Sequence, residues 1–212
     1  MKIAIIGATG KSGQKILAEA IARGLDVTAI VRSPAKLTAK VPVIQREVLQ
    51  ITATDLAPFA VIISAFGNSD GHNRQEHVQV MQHYVEILKN MHKRLLTVGA
   101  ASYLFTNDQK TKKFYDTPMM RLSGLRAGSL VLETAYTTLR DQAIGFNWTV
   151  VAPAVTYSFD RPATGHYHTG AEVIQKNAAG KSIVSYADFA AALLDEVQAP
   201  QYLNQLMSVS ED

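Results

Sequence analysis

The chain has 212 residues, a formal net charge of +3 and no cysteine. Hydrophobic residues make up 47% and charged residues 18%, which excludes a disordered chain and leaves room for one packed domain over residues 1–212. The absence of cysteine excludes disulfides, thiolate catalysis and cysteine-ligated metal, and so mild a positive charge makes no case for a nucleic-acid partner.

In chain order, Ile3–Ile6 is a short apolar run of the kind buried on both faces of a parallel sheet. It follows Met1-Lys2 directly, so no leader segment is expected, and no apolar stretch approaches a membrane span. The expectation is a cytoplasmic protein. Lys11–Arg23 reads as a helix ended by Gly24, and Val27–Val31 as the second strand. Pro34–Lys40 is a short helix or turn, Val41–Ile44 a weaker third strand and Ala60–Ala65 a strong fourth. Between Asn73 and Asn90 the residues Val78, Met81, Val85 and Leu88 share one helical face. Arg94–Val98 is a fifth strand, and residues 103–122 have no steady period and read as a long loop. Leu132, Tyr136, Leu139 and Ala143 mark the next helix, and Asn147–Pro153 a sixth strand. An irregular stretch with Pro162, Gly165 and Gly170 follows, then a helix through Ala190–Val197 and an expected edge strand at Leu206–Val209. This alternation predicts an α/β fold: a doubly wound parallel sheet in three layers, α/β/α, with ligands at the carboxyl ends of its strands.

Residues 5–14, IIGATGKSGQ, carry the clearest chemistry. Gly10-Lys11-Ser12 matches the end of an ATP-binding P-loop, but the first glycine of that pattern falls on Ile5. A dinucleotide fits better. Gly7 would make the tight turn, Gly10 would admit the pyrophosphate, and Gly13 would pack the helix on the strand. The spacing is G-x-x-G-x-x-G, with Ala8 in place of the second glycine of the commoner pattern. The second strand ends in Arg32-Ser33 where an NAD enzyme would carry an acid. A guanidinium pairs with a 2′-phosphate, with Ser33 and Lys36 in support, so NADPH is expected over NADH.

Gly67–Gly71, GNSDG, matches the nucleophile elbow of α/β hydrolases, but no oxyanion-loop pattern precedes it. Ala65-Phe66-Gly67 instead reads as the stretch that passes the cofactor's adenosine. His166 and His168 lack further ligand spacing and read as outward residues of a hairpin, so no metal is expected. His72, His77, His83 and His92 read as polar-face residues. Ser102 lies at the carboxyl end of the fifth strand and is either a substrate-contacting or a turn serine. No tyrosine has a lysine four positions on, so the Tyr-x-x-x-Lys pair that protonates an alkoxide is missing. A flavin or quinone needs little protein acid, because it delocalises the charge it gains.

KIAIIGATGKSG, VTAIVRSPAKL, VIISAFG, RLLTVGAAS, NWTVVAPA and GKSIVSYADFAAALLDE resemble, in that order, blocks of the atypical short-chain dehydrogenases: NmrA-like NAD(P)-binding proteins and NAD(P)H-flavin reductases of the biliverdin reductase B type. The resemblance implies a Rossmann fold in which Gly7, Thr9, Gly10, Lys11, Ser12 and Gly13 hold the pyrophosphate. It implies that Arg32 holds the 2′-phosphate, that Ala65, Phe66 and Gly67 line the adenosine side, and that Ser102 and Pro153-Ala154-Val155 approach the nicotinamide. Glu47 stands where the family often has aspartate, and no histidine follows Pro153, where a biliverdin-reducing member would carry one. The resulting expectation is an NADPH-dependent reductase of a small flavin (FMN or FAD) or quinone-like acceptor, monomer or homodimer. The alternative is a non-catalytic NADP-binding redox sensor.

Overall fold

A computed structural model describes residues 1–67 and 74–212. β1 (Lys2–Ile6) alternates its side chains between two cores. Ile3 and Ile5 pack on one face of the sheet, and Ala4 and Ile6 on the other, all almost fully buried. β2 (Asp26–Val31) and β3 (Val43–Gln45) extend the sheet on one side of β1, and β4 (Val61–Ser64), β5 (Arg94–Val98) and β6 (Asn147–Ala152) on the other. These strands are parallel, in the order 3-2-1-4-5-6. α1 (Lys11–Ala22) and α6 (Tyr186–Gln198) cover one face. A short α2 (Ala53–Leu56), α3 (Gln75–Leu88) and α5 (Arg126–Gln142) cover the other. The predicted three-layer α/β/α sheet is therefore present.

Three details differ from the sequence expectation. The stretch 103–122 is not all loop: it has a 3-10 turn at Phe114–Asp116 and a short helix α4 (Pro118–Leu122) capped by Thr117, whose Oγ1 accepts from Met120 N at 3.4 Å. The irregular region after β6 contains three short strands, β7 (Thr156–Ser158), β8 (Tyr167–Ala171) and β9 (Ile183–Ser185). β7 and β9 form their own parallel ribbon. The last strand, β10 (Gln205–Glu211), is not at the edge. It lies between β6, to which it runs parallel, and β8, to which it is antiparallel, and Leu206–Ser210 are buried. An edge strand would leave one side of its backbone to water; β8 covers that side. His168 sits in β8 with its Nδ1 2.9 Å from Asp212 Oδ1.

Candidate functional site

The turn between β1 and α1 is shaped by close backbone contacts. Gly7 has φ +76°, a conformation open to glycine, and its N–H donates to the Ile30 carbonyl at 3.0 Å. That bond holds the turn against the end of β2. A Cβ on Gly13 would lie 2.1 Å from the Gly7 carbonyl oxygen, so no larger residue fits there without moving the helix. Gly10 is different. A Cβ there would meet nothing closer than 3.4 Å, and the residue is exposed. Protein packing does not require glycine at this position, but a phosphate lying on the turn would. Gly10 is also the N-cap of α1 and offers no capping side chain. The first-turn amides and the positive end of the helix dipole are thus left for a ligand. The residues present fit the pyrophosphate of a dinucleotide.

A cleft of about 710 Å³ opens over this turn, at the carboxyl ends of β1, β4 and β5. Of the sequence-predicted residues, Thr9, Gly10, Lys11, Ser12, Ala65, Phe66 and Gly67 line it, while Gly7 and Gly13 shape the turn beneath. Arg32, Ser33 and Lys36 follow the end of β2 beside the turn and are not part of the cleft wall. Arg32 is exposed, and its guanidinium pairs with no described residue. Ser102 is 8% exposed, and its hydroxyl has no hydrogen-bond partner among the described residues. It does not line the cleft, although its neighbours Ala100 and Tyr103 do. Pro153 and Ala154 are buried beyond β6, and Val155 faces a second, smaller cavity. In the GNSDG stretch, residues 68–71 lie outside the described residues, as does His72.

Several cleft residues escaped the sequence reading. Arg74 and His77, at the start of α3, and Tyr103, Tyr136 and Tyr186 all line it. His77 is not on a polar face. Its ring meets Phe66 edge-on at 5.1 Å, and burial, with the Arg74 charge beside it, pulls its pKa below the ordinary histidine value. His83 also turns inward, with Nε2 2.8 Å from the Ile51 carbonyl. Tyr103 stacks on Tyr136 at 5.4 Å, and its hydroxyl accepts from Ala100 N at 2.8 Å. Burial pushes both phenols up, so neither ionises near neutrality. A search for tyrosine followed by lysine passes over Tyr136 and Arg140, whose guanidinium lies 5.7 Å from the ring centroid.

The β7–β9 ribbon ties the glycine turn to the rest of the molecule. Tyr157 reaches from β7 to Ser12, hydroxyl to hydroxyl at 3.0 Å, and stacks on Tyr186 at 3.6 Å with the rings 6° from parallel. Phe159 sits under the ammonium groups of Lys11 and Lys15, at 5.9 and 5.1 Å. Among the described residues, no cluster of His, Cys, Asp or Glu could hold a metal, and no helix is long and apolar enough to cross a membrane.

Comparison with known proteins agrees with this geometry. A family model described as NAD(P)H-binding matches residues 7–200. The uncharacterized protein YwnB of Bacillus subtilis (strain 168) is 39% identical over 213 residues, covering 99% of this chain and 98% of that one. A candidate NADH-flavin reductase of Streptococcus pneumoniae TIGR4 superposes with a TM-score of 0.93 at 32% identity over the full length of both chains. A Lactobacillus casei protein superposes at 0.87 with 28% identity, over 100% of this chain and 99% of that one. With its glycine turn, its uncapped helix and the cleft above them, the chain belongs to the NAD(P)H-binding family, in the atypical short-chain dehydrogenase group that its sequence blocks resemble.

Proposed function

We propose that this protein is an NADPH-dependent reductase of a flavin or quinone-like acceptor. The observation that carries it is the glycine turn. Packing leaves room for a side chain at Gly10, α1 has no side-chain cap, and Arg32 at the end of β2 has no partner for its guanidinium among the described residues. When bound, NADPH supplies a hydride, the acceptor is reduced by two electrons, and water supplies the proton that completes a dihydroflavin. The protein's part is to bind and orient. The turn amides and Ser12 hold the pyrophosphate, Arg32 with Ser33 and Lys36 takes the 2′-phosphate, and Ala65–Gly67 flank the adenosine side. Ser102, whose buried hydroxyl has no partner among the described residues, and Pro153–Val155 approach the nicotinamide from behind the cleft wall. The high phenol pKa values of Tyr103 and Tyr136 suit this chemistry, which asks for no phenolate base. The pneumococcal relative is named for NADH and flavin; Arg32 is the reason to expect NADPH here.

The test is steady-state oxidation of NADPH and of NADH with FMN, FAD, riboflavin and a soluble quinone. Acceptor-dependent oxidation with a higher kcat/KM for NADPH supports the proposal. Tight NADPH binding with no oxidation in the presence of any acceptor overturns it, in favour of a redox sensor.

A further inference from the structure

The second cavity, about 370 Å³, lies across the β7–β9 ribbon from the glycine turn. Neighbouring residues of a strand point to opposite faces. Tyr157 reaches Ser12 on one side, while Thr156 and its ribbon partner Ile183 line the cavity on the other. The cavity's walls are apolar and partly aromatic: Phe114, Val155, Ile174 and Ile183. Three threonines (Thr106, Thr117 and Thr156), Ser182, Lys176 and Lys181 complete the lining, and no carboxylate belongs to it.

These two lysines differ from their neighbours. Lys110 pairs with Glu172, and Lys113 with Glu133 at 3.4 Å. Lys176 and Lys181 have no partner for their ammonium groups among the described residues. Both residues are exposed, and they flank one ordered turn. Asn177 N donates to the Lys181 carbonyl at 2.9 Å, and Asn177 Oδ1 accepts from Ala179 N and Lys181 N at 3.1 and 3.0 Å. This knot closes a tight turn from Asn177 to Lys181, and Lys176 immediately precedes it. The Thr156 hydroxyl, also in the cavity wall, has no partner either. An apolar slot bordered by two unneutralised cations and a free hydroxyl matches a flat ring that carries an anionic group.

The geometry points to this cavity as the seat of the hydride acceptor, with Lys176 and Lys181 selecting acceptors that carry a phosphate, such as FMN over riboflavin. This rests on the reductase proposal above. Val155, which lines this cavity, ends the Pro153–Val155 stretch that the reductase proposal sets at the nicotinamide, although the cavity and the cleft share no lining residue. A neutral quinone would use the slot and gain nothing from the lysines.

Binding and turnover are measured separately. Protein saturated with NADP⁺ is titrated with FMN and with riboflavin, following flavin fluorescence, for the wild type, K176Q/K181Q and I174W. NADPH oxidation is then measured with each flavin. The wild type should bind FMN about tenfold more tightly than riboflavin, the discrimination one charge-assisted contact provides. K176Q/K181Q should abolish that preference, and I174W, which fills the slot, should weaken both flavins. Equal binding of the two flavins by the wild type overturns the assignment. So does a preference that survives K176Q/K181Q, or flavin binding untouched by I174W. Lysine-dependent FMN binding without any NADPH oxidation keeps the site and sinks the reductase. Turnover of both flavins without selectivity does the reverse.

Discussion

A methyl group on Gly13 would sit 2.1 Å from the Gly7 carbonyl oxygen, well inside van der Waals contact distance. Gly13→Ala must push α1 off β1, and such overpacking costs about 1–3 kcal/mol. Thermal melts should show that loss, and NADPH titration should show affinity falling with it. Arg32→Ala leaves the fold alone, because the side chain is exposed and its guanidinium has no partner among the described residues. It should weaken NADPH by about tenfold or more while NADH changes by less than about twofold; equal losses would remove the 2′-phosphate role. His77 makes a pH prediction. Its folded pKa lies below the ordinary value, so below about pH 6.5 the unfolded chain binds more protons than the folded one. Stability is full above that value and falls as pH drops through it. Melting temperatures of the wild type should decline from about pH 6.5 downward, and His77→Phe should flatten part of that slope. At this scale the glycine turn and the place of Arg32 just after β2 were legible in the sequence, because a turn's backbone requirement and the residue following a strand are local facts. Arg74, His77, Tyr103, Tyr136 and Tyr186 were not. Arg74 and His77 open α3 and the three tyrosines stand on three further elements, and only the fold brings them over one cleft.

Between elements, the β7–β9 ribbon does more than its three-residue strands suggest. Strands so short carry no periodic signal, and their partners lie 27 positions apart in register, Thr156 with Ile183. Sequence patterning therefore registered only an irregular stretch. Yet the ribbon carries Tyr157, the side chain that fixes Ser12 at the glycine turn. A double-mutant cycle tests that link. Tyr157→Phe and Ser12→Ala should each cost about 1 kcal/mol of stability, and the double variant little more than either one. Additive losses would mean the hydroxyls act independently. The misplacement of β10 has a related cause. Leu206–Val209 announces a strand, but β8, which covers it, has the half-polar sequence YHTGA and looks like loop.

Over the whole molecule, two hydrophobic cores lie on either side of one sheet, and charge enters that interior at Arg94 and Glu196. The pair links β5 to α6. Glu196 also accepts from Gln201 N and Tyr202 N, at 2.8 and 3.0 Å. Burial depresses the Arg94 pKa, and Glu196 opposes that shift. Removing the carboxylate strands a cation in an apolar interior. Glu196→Ala should lower stability by about 3–5 kcal/mol in urea unfolding, far more than loss of an exposed pair such as Arg140–Asp141. The order of strands across the sheet bears on how the chain matures. β10 is made after β6 and β8 but is seated between them. During synthesis the ribosome releases β1 to β6 first, and these can already pair with one another. β8 then waits without a berth until β10 has emerged, and meanwhile the outer side of β6 is an open template for another chain. Nascent chains stalled before residue 205 should therefore engage chaperones or aggregate, while already presenting the glycine turn that grips the nucleotide.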